Sequence, residues 1–160
     1  MTASSAPIRR YQDFISGQPT LARIRGAFRD AAVTALSLGR RPDATRGWIR
    51  FPYYHHVFDD EREGFSRQLE FMASLGDFIG LDEAVRMLTS GDPIDGRYFC
   101  VTFDDGFKNW FTNAVPILVD HGATATFFLV TRYIGLSPEA DRETLLGFYE
   151  EGDRLMEFLD

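Results

Sequence analysis

Apolar residues occur in this chain as short continuous runs, separated by longer segments in which they recur at helical spacing. Residues 98–104 are apolar at nearly every position, as expected for a strand that is covered on both faces. Residues 48–54 form a second run of this kind, and Pro52 predicts an irregularity within it. Two further strands are predicted at residues 78–81 and 125–130.

Helices are predicted between these strands, at residues 65–75, 82–89 and 109–120, with Asp82 as the cap of the second. Pro138 is placed to open a final helical region. The alternation of strands and helices is typical of an α/β fold with a parallel sheet or barrel. About four strands are present, which is half of a (β/α) barrel.

The sequence predicts that the first 46 residues form an N-terminal extension that is separate from the strand and helix alternation. We expect a loose lead-in over residues 1–19, then a helix that begins at Thr20 and ends at Gly39, then a linker. The apolar stripe of this helix lies beside several arginines, and packing against the domain is favoured over attachment to a membrane surface. Residues 47–160 form the second unit.

The net charge of -7 argues against a nucleic-acid-binding protein, because such proteins usually carry a basic stripe. It also disfavours a strongly anionic polymer as substrate, so neutral or amine-bearing substrates fit better. The single cysteine, Cys100, excludes an intramolecular disulfide and is interpreted as a small core residue.

No secretory signal is visible at the N-terminus, and no window approaches the ~18 apolar residues of a membrane span. We therefore expect a cytoplasmic protein with no stable membrane span.

Paired acidic residues, Asp104 and Asp105, follow the strongest predicted strand, and His55 and His56 follow the first. Active sites collect where the carboxyl ends of parallel strands meet, so both pairs are expected at one rim. Neighbouring strand residues point to opposite faces, so both acids reach one pocket only if the backbone turns, which Gly106 permits.

Two readings of the acid pair stay open on spacing alone. The acids either solvate a strand end and cap the next helix, or they share a proton or hold a cation. With a divalent metal, one acid can bind the ion while the other takes a proton from water. A catalytic zinc site usually has three protein ligands, so one aspartate is not enough.

The chain has three histidines, and His121 is expected at a helix C-terminus in a structural role. At most one of the adjacent pair His55 and His56 easily faces the pocket, and an aromatic rim is the alternative reading of this segment. No nucleophile elbow, phosphate-binding loop or dinucleotide-binding glycine motif is present.

The run from Val101 to Phe107, which contains Thr-Phe-Asp-Asp-Gly, resembles the first motif of the polysaccharide deacetylases, a carbohydrate esterase family that includes the nodulation chitooligosaccharide deacetylases. The resemblance extends over about residues 47–136. It implies a deformed (β/α) barrel and a divalent metal, usually zinc. It also implies hydrolysis of acetyl groups, mainly the N-acetyl of glucosamine-type residues in an acetylated glycan. By motif position, Asp104 would be the general base, Asp105 a metal ligand, and His55 a residue near the pocket.

The resemblance stops short of the family's second motif, which carries two metal-binding histidines at HxxxH spacing. No histidine follows His121, so the remaining metal ligands are missing from this sequence. We therefore expect a truncated N-terminal part of the domain, inactive alone and prone to self-association through open strand edges such as residues 125–130. A non-catalytic glycan-binding remnant is the alternative, and a magnesium-dependent phosphotransfer enzyme is a weaker one.

Overall fold

The computed structural model describes residues 7–16, 47–137 and 141. Its strands form four runs along the chain, and every pairing between them is parallel. The predicted parallel α/β architecture is therefore confirmed for this part of the chain, while closure of the sheet into a barrel stays a prediction. The elements are α1 (Tyr11–Ser16), β1 (Trp48–Arg50), β2 (Tyr53–Tyr54), α2 (Arg62–Ala73), β3 (Asp77–Phe78), α3 (Leu81–Thr89), β4 (Arg97–Phe99), β5 (Val101–Asp104), α4 (Val115–Asp120) and β6 (Ala125–Phe128).

The first strand run is broken at Pro52, as the sequence predicts, and its two parts are β1 and β2. Strand β1 pairs with β4, and β2 pairs with β5. Hydrogen bonds continue across the break, because the Cys100 N–H donates to the Arg50 carbonyl (2.9 Å) and the Thr102 N–H donates to the Pro52 carbonyl (3.0 Å). The two three-stranded sheets, β1-β4-β3 and β2-β5-β6, are thus joined along two continuous segments of chain.

One face of the β2-β5-β6 sheet carries the core. Phe103 is completely buried, and its ring stacks against Tyr54 (5.3 Å between centroids) and Phe127 (5.0 Å). Trp110 packs over Phe103 and Phe127 from the helical layer, at 5.9 and 5.6 Å. Large aromatic side chains therefore occupy the centre of this core.

Helices α2 and α4 cover this face, whereas Ala84 of α3 is buried in a separate cluster with Ile79 and Cys100. Helix α2 begins three residues before the predicted start and buries Phe65, Leu69 and Met72. Helix α3 begins at Leu81, and its N-cap is Gly80 without a side-chain hydrogen bond, so the prediction that Asp82 caps this helix is wrong.

The predicted helix at 109–120 contains one turn of π-helix, at Trp110–Ala114, before α4. Pro116 has no N–H, so it cannot donate to the Thr112 carbonyl four residues earlier. The Arg62 guanidinium donates to that carbonyl instead (3.1 Å), and to the side-chain oxygen of Asn113 (2.8 Å). The irregular turn is therefore stabilised by a side chain from the start of α2.

The expectation of a loose lead-in is wrong for residues 7–16. The carboxylate of Asp60 accepts hydrogen bonds from the N–H groups of Tyr11 (2.7 Å) and Gln12 (3.4 Å), at the start of helix α1. The ring of Phe14 lies 5.5 Å from that of Phe58, which is buried. These contacts attach the segment to the domain. The helix predicted from Thr20, the linker after it and the helical region predicted at Pro138 lie outside the described residues.

No helix within the described part of the chain is both long and apolar enough to cross a membrane.

The stacked core predicts a large difference between two phenylalanine truncations. Phe103→Ala removes a completely buried ring and should lower the free energy of unfolding by about 3–5 kcal/mol. Phe111→Ala removes a ring that is 65% exposed and should change it by less than about 0.5 kcal/mol. Urea unfolding followed by circular dichroism measures both. Equal losses for the two variants would contradict the assignment of the core.

Candidate functional site

The acid pair lies at the carboxyl end of the central strand, where the backbone turns sharply. Asp104 is the last residue of β5, and Asp105 follows it with a φ of 87°. Sequence reasoning placed the turn at Gly106, which also has a positive φ (80°), but the turn begins one residue earlier. A non-glycine residue in this region costs roughly 1–3 kcal/mol and is common at functional sites. The turn therefore ends the alternation of the strand directly after Asp104, as both acids need if they are to reach one pocket.

Strand β6 holds this turn in place. The Asp105 N–H donates to the Phe128 carbonyl (3.1 Å), so the ladder between β5 and β6 extends one residue past the end of β5. A side chain on Gly106 would approach the Leu129 side chain to 3.4 Å and would be strained by the positive φ. Contacts with Phe128 and Leu129 therefore restrict the conformation of the turn.

His55 is the histidine that the structure brings to the acid pair. Its Nε2 lies 3.8 Å from the Asp105 carboxylate, and its side chain is about half exposed. The indole N–H of Trp110 donates to the His55 carbonyl (2.9 Å), which positions the backbone after β2. The indole bond is a contact that sequence reasoning missed, because nothing local in the sequence links residues 55 positions apart.

His56 lies in an aromatic cluster. Its ring centroid lies 4.1 Å from that of Phe107, 4.9 Å from Phe58 and 5.7 Å from Phe14. The pKa of His56 is lowered from 6.5 to about 4, mainly by burial and in addition by the charge of His55, while the side chain of Asn109, 3.4 Å from Nδ1, opposes this shift. The neutral His56 ring is part of the aromatic packing. The neighbouring His55, in contrast, is about half exposed.

The third histidine lies away from the acid pair. The Nε2 of His121 is 2.8 Å from the Ser66 hydroxyl, which joins the C-terminal end of α4 to α2. This contact gives His121 a structural role, as its position in the sequence suggests.

Asp105 and His55 at the rim have side chains that can bind a divalent cation, but two ligands are too few for a complete site. A carboxylate of Asp105 and an imidazole of His55 are both ordinary ligands of zinc, and a catalytic zinc site has three protein ligands. Within residues 7–16 and 47–137, no three His, Cys, Asp or Glu side chains come close enough together to hold a metal ion. The described residues therefore bring together two candidate donors and not three.

Comparison with known proteins points to one family. Residues 92–150, which include the acid pair, match the family model described as polysaccharide deacetylase. The Bacillus subtilis (strain 168) protein YxkH, whose name refers to polysaccharide deacetylase, is 23% identical over 132 residues, which are 74% of this chain and 47% of that protein.

Among solved structures, IcaB from Ammonifex degensii aligns with a TM-score of 0.51 and 27% identity, over 57% of this chain and 41% of IcaB. The Streptococcus pyogenes deacetylase PplD, solved in complex with acetate, aligns with a TM-score of 0.49 and 25% identity, over 56% of this chain and 45% of PplD. The chain thus spans less than half the length of each of these relatives.

Burial of a neutral His56 predicts that the fold loses stability in mild acid. Between about pH 6.5 and pH 4 the unfolded chain binds a proton at this residue and the folded chain does not. The free energy of unfolding should therefore fall as pH is lowered through this window, by up to about 3 kcal/mol.

His56→Phe should remove most of this dependence, because a phenyl ring suits the aromatic cluster and does not titrate. His55→Gln is the matched control, since the neighbouring ring is half exposed and should leave the dependence in place. Urea unfolding at several pH values measures both. An unchanged slope in His56→Phe would contradict the assignment.

Proposed function

Because the chain belongs to the polysaccharide deacetylase family, we propose that it contributes the acid pair of a metal-dependent hydrolase that removes acetyl groups from a glycan. We favour N-acetyl groups, as on glucosamine-type residues, as the groups that are removed. The observation that carries the proposal is the turn at Asp105, which ends the strand alternation directly after Asp104 at the carboxyl end of the central parallel strand and brings the Asp105 carboxylate to 3.8 Å from His55.

Asp104 is proposed as the general base. Its backbone belongs to the ladder between β5 and β6 and pairs with Phe128. This pairing fixes the position of its Cα at the rim. In hydrolysis of an acetamido group, a water molecule adds to the carbonyl carbon and loses a proton, which Asp104 accepts. A base placed in this way typically contributes 10²–10⁴-fold in rate.

Asp105 is proposed to hold the divalent ion, for which zinc is our choice. Such an ion supplies positive charge that acidifies water and polarises the acetyl carbonyl. Asp105 suits this role because its backbone is held by β6 on one side and its carboxylate lies beside His55 on the other. The described residues contain no group of three such side chains, so further ligands would be needed to complete the set.

His55 is proposed to donate the proton that the departing nitrogen needs. Cleavage of the carbon–nitrogen bond releases acetate and an amine, and the amine leaves readily only if its nitrogen is protonated. The imidazole lies on the same rim as the acids, half exposed to an incoming substrate. With Asp104 as base and His55 as acid, both proton transfers of the hydrolysis would have a partner at the rim.

A second function, glycan binding without hydrolysis, is favoured by the incomplete donor set within the described residues. Under this reading the rim holds the sugar and releases no acetate. Acetate release from an N-acetylglucosamine oligomer, with and without added zinc, separates the two functions. The expectation that residues 1–160 alone give no turnover stays a prediction that the same assay tests.

The proposed roles predict that the two aspartates fail differently. Asp105→Asn should lose bound metal and activity together, because a carboxamide is a poorer ligand than a carboxylate. Asp104→Asn should keep its metal and lose roughly 10²–10⁴-fold in rate. Elemental analysis and acetate release are measured side by side on a completed domain that contains this chain, because residues 1–160 alone are expected to give no turnover. Asp82→Asn, an exposed acid on α3, is the control and should change neither.

A metal-free Asp104→Asn together with a metal-loaded Asp105→Asn would reverse the assignment. If both variants kept their metal and their rate, the pair would be only a solvated strand end.

A further inference from the structure

Helix α1 is attached to the segment of chain that follows β2 and carries the two histidines. The helix has six residues and none of them is buried, and a helix so short does not hold its shape alone. The Asp59 N–H donates to the Arg9 carbonyl, just before the helix (2.9 Å), and the Asp60 carboxylate accepts from N–H groups in its first turn. The helix therefore depends for its place on residues that lie next to the candidate site.

Phe14 is the residue of α1 that reaches the histidines themselves. Its ring lies 5.7 Å from the ring of His56 and 5.5 Å from that of Phe58. On its other side the His56 ring lies 4.1 Å from Phe107, which is completely buried two residues after Asp105. The aromatic cluster thus joins three parts of the chain: α1, the segment after β2, and the turn that carries the acid pair.

The imidazole of His55 needs support from its neighbours to stay beside Asp105. Its Nε2 lies 3.8 Å from the carboxylate, which is too far for a hydrogen bond, and its side chain is about half exposed. The indole of Trp110 holds the His55 carbonyl, but a single hydrogen bond fixes one atom and does not fix the orientation of the residue. The packed ring of His56, the next residue, provides the second point of attachment.

We propose that Phe14 is a positioning residue of the candidate site, which packs on His56 and thereby sets the direction of the His55 imidazole relative to Asp105. This inference rests on the proposed function, in which that imidazole donates the proton to the departing nitrogen. Phe14 acts through His56 and does not contact the reacting group. A misplacement of about 1 Å in a reacting group can cost roughly 100-fold in rate, so a residue that only orients the donor has a measurable effect.

Tyr11 provides a matched comparison within the same helix. Its ring packs on Phe58 at 6.1 Å, on the side chain that Phe14 also contacts, and it is 42% exposed. Loss of either ring removes an aromatic contact between α1 and the domain, whereas Phe14→Ala also removes the contact with His56. A role that is limited to anchoring α1 therefore predicts similar effects of the two truncations, and a positioning role predicts different ones.

NMR of the 160-residue chain measures the position of the imidazole without any need for turnover. At constant pH, Phe14→Ala should shift or broaden the ring signals of His55 and weaken the cross-peaks between the His55 and Tyr53 rings, which lie 5.9 Å apart. Tyr11→Ala should leave both unchanged. Phe14→Leu should restore the wild-type signals, because leucine fills the space beside His56. Leucine has no ring current, so this recovery would identify packing as the cause.

Acetate release by the metal-loaded, completed domain measures the consequence for the reaction. Phe14→Ala should lower kcat roughly ten- to hundred-fold and change KM by less than about two-fold, because proton donation to the departing nitrogen belongs to the transition state. Tyr11→Ala should change neither, and Phe14→Leu should recover most of kcat.

The two measurements separate failure of this inference from failure of the proposed function. Displaced His55 signals in Phe14→Ala, with no acetate release from the wild-type domain, would retain the positioning role and reject the hydrolase. Acetate release that needs Asp104 but is unchanged in Phe14→Ala would do the reverse. Equal effects of Phe14→Ala and Tyr11→Ala would reduce Phe14 to an anchor of α1. If Phe14→Ala does not fold, Asp60→Ala, which weakens the attachment of α1 from outside the aromatic cluster, should displace the same His55 signals, and unchanged signals there would overturn the proposal.

Discussion

The stack of Tyr54, Phe103 and Phe127 is the contact on which the geometry of the rim depends. The three rings come from three neighbouring strands and lie in register, with centroid distances of 5.3 and 5.0 Å. A slip of one residue in any of the strands would turn its ring out of the core and its polar neighbours into it. The buried face therefore sets the register, and the register places Asp104 beside the ends of β2 and β6.

Much of this architecture follows from the sequence, because strands and their breaks leave local signals. The continuous apolar pattern at 98–104 and the proline at position 52 predict the central strand and the broken one that pairs with it. The π turn had a signal too, since Pro116 lies inside the predicted helix. The attachment of residues 7–16 had none, because the carboxylate of Asp60 that binds α1 lies 49 residues away in the chain.

The residues of the candidate site could be predicted from the sequence, whereas the positions of their side chains were harder to predict. An acid pair after a buried strand is a local pattern, and the adjacency of His55 and His56 already implied that they diverge. Which histidine faces the acids depends on Phe14, Phe58 and Phe107, which surround His56 from distant parts of the chain. The positive φ of Asp105 likewise accompanies a tertiary contact, the hydrogen bond from its N–H to the Phe128 carbonyl of β6, which leaves no local signal in the sequence.

The π turn before α4 has a further effect on this arrangement. One additional residue in a helix rotates everything before it by about 100° relative to everything after it. Trp110 and Asn113 lie in this turn and are buried, while Ile117 and Leu118 are buried after it. The inserted residue thus sets the angle about the helix axis between the buried residues of the π turn and those of α4. A regular helix would give a different angle. Because Trp110 holds the His55 carbonyl and Asn113 holds the Val57 carbonyl, a single-residue deletion here would swing both anchors away from the segment that carries the histidines.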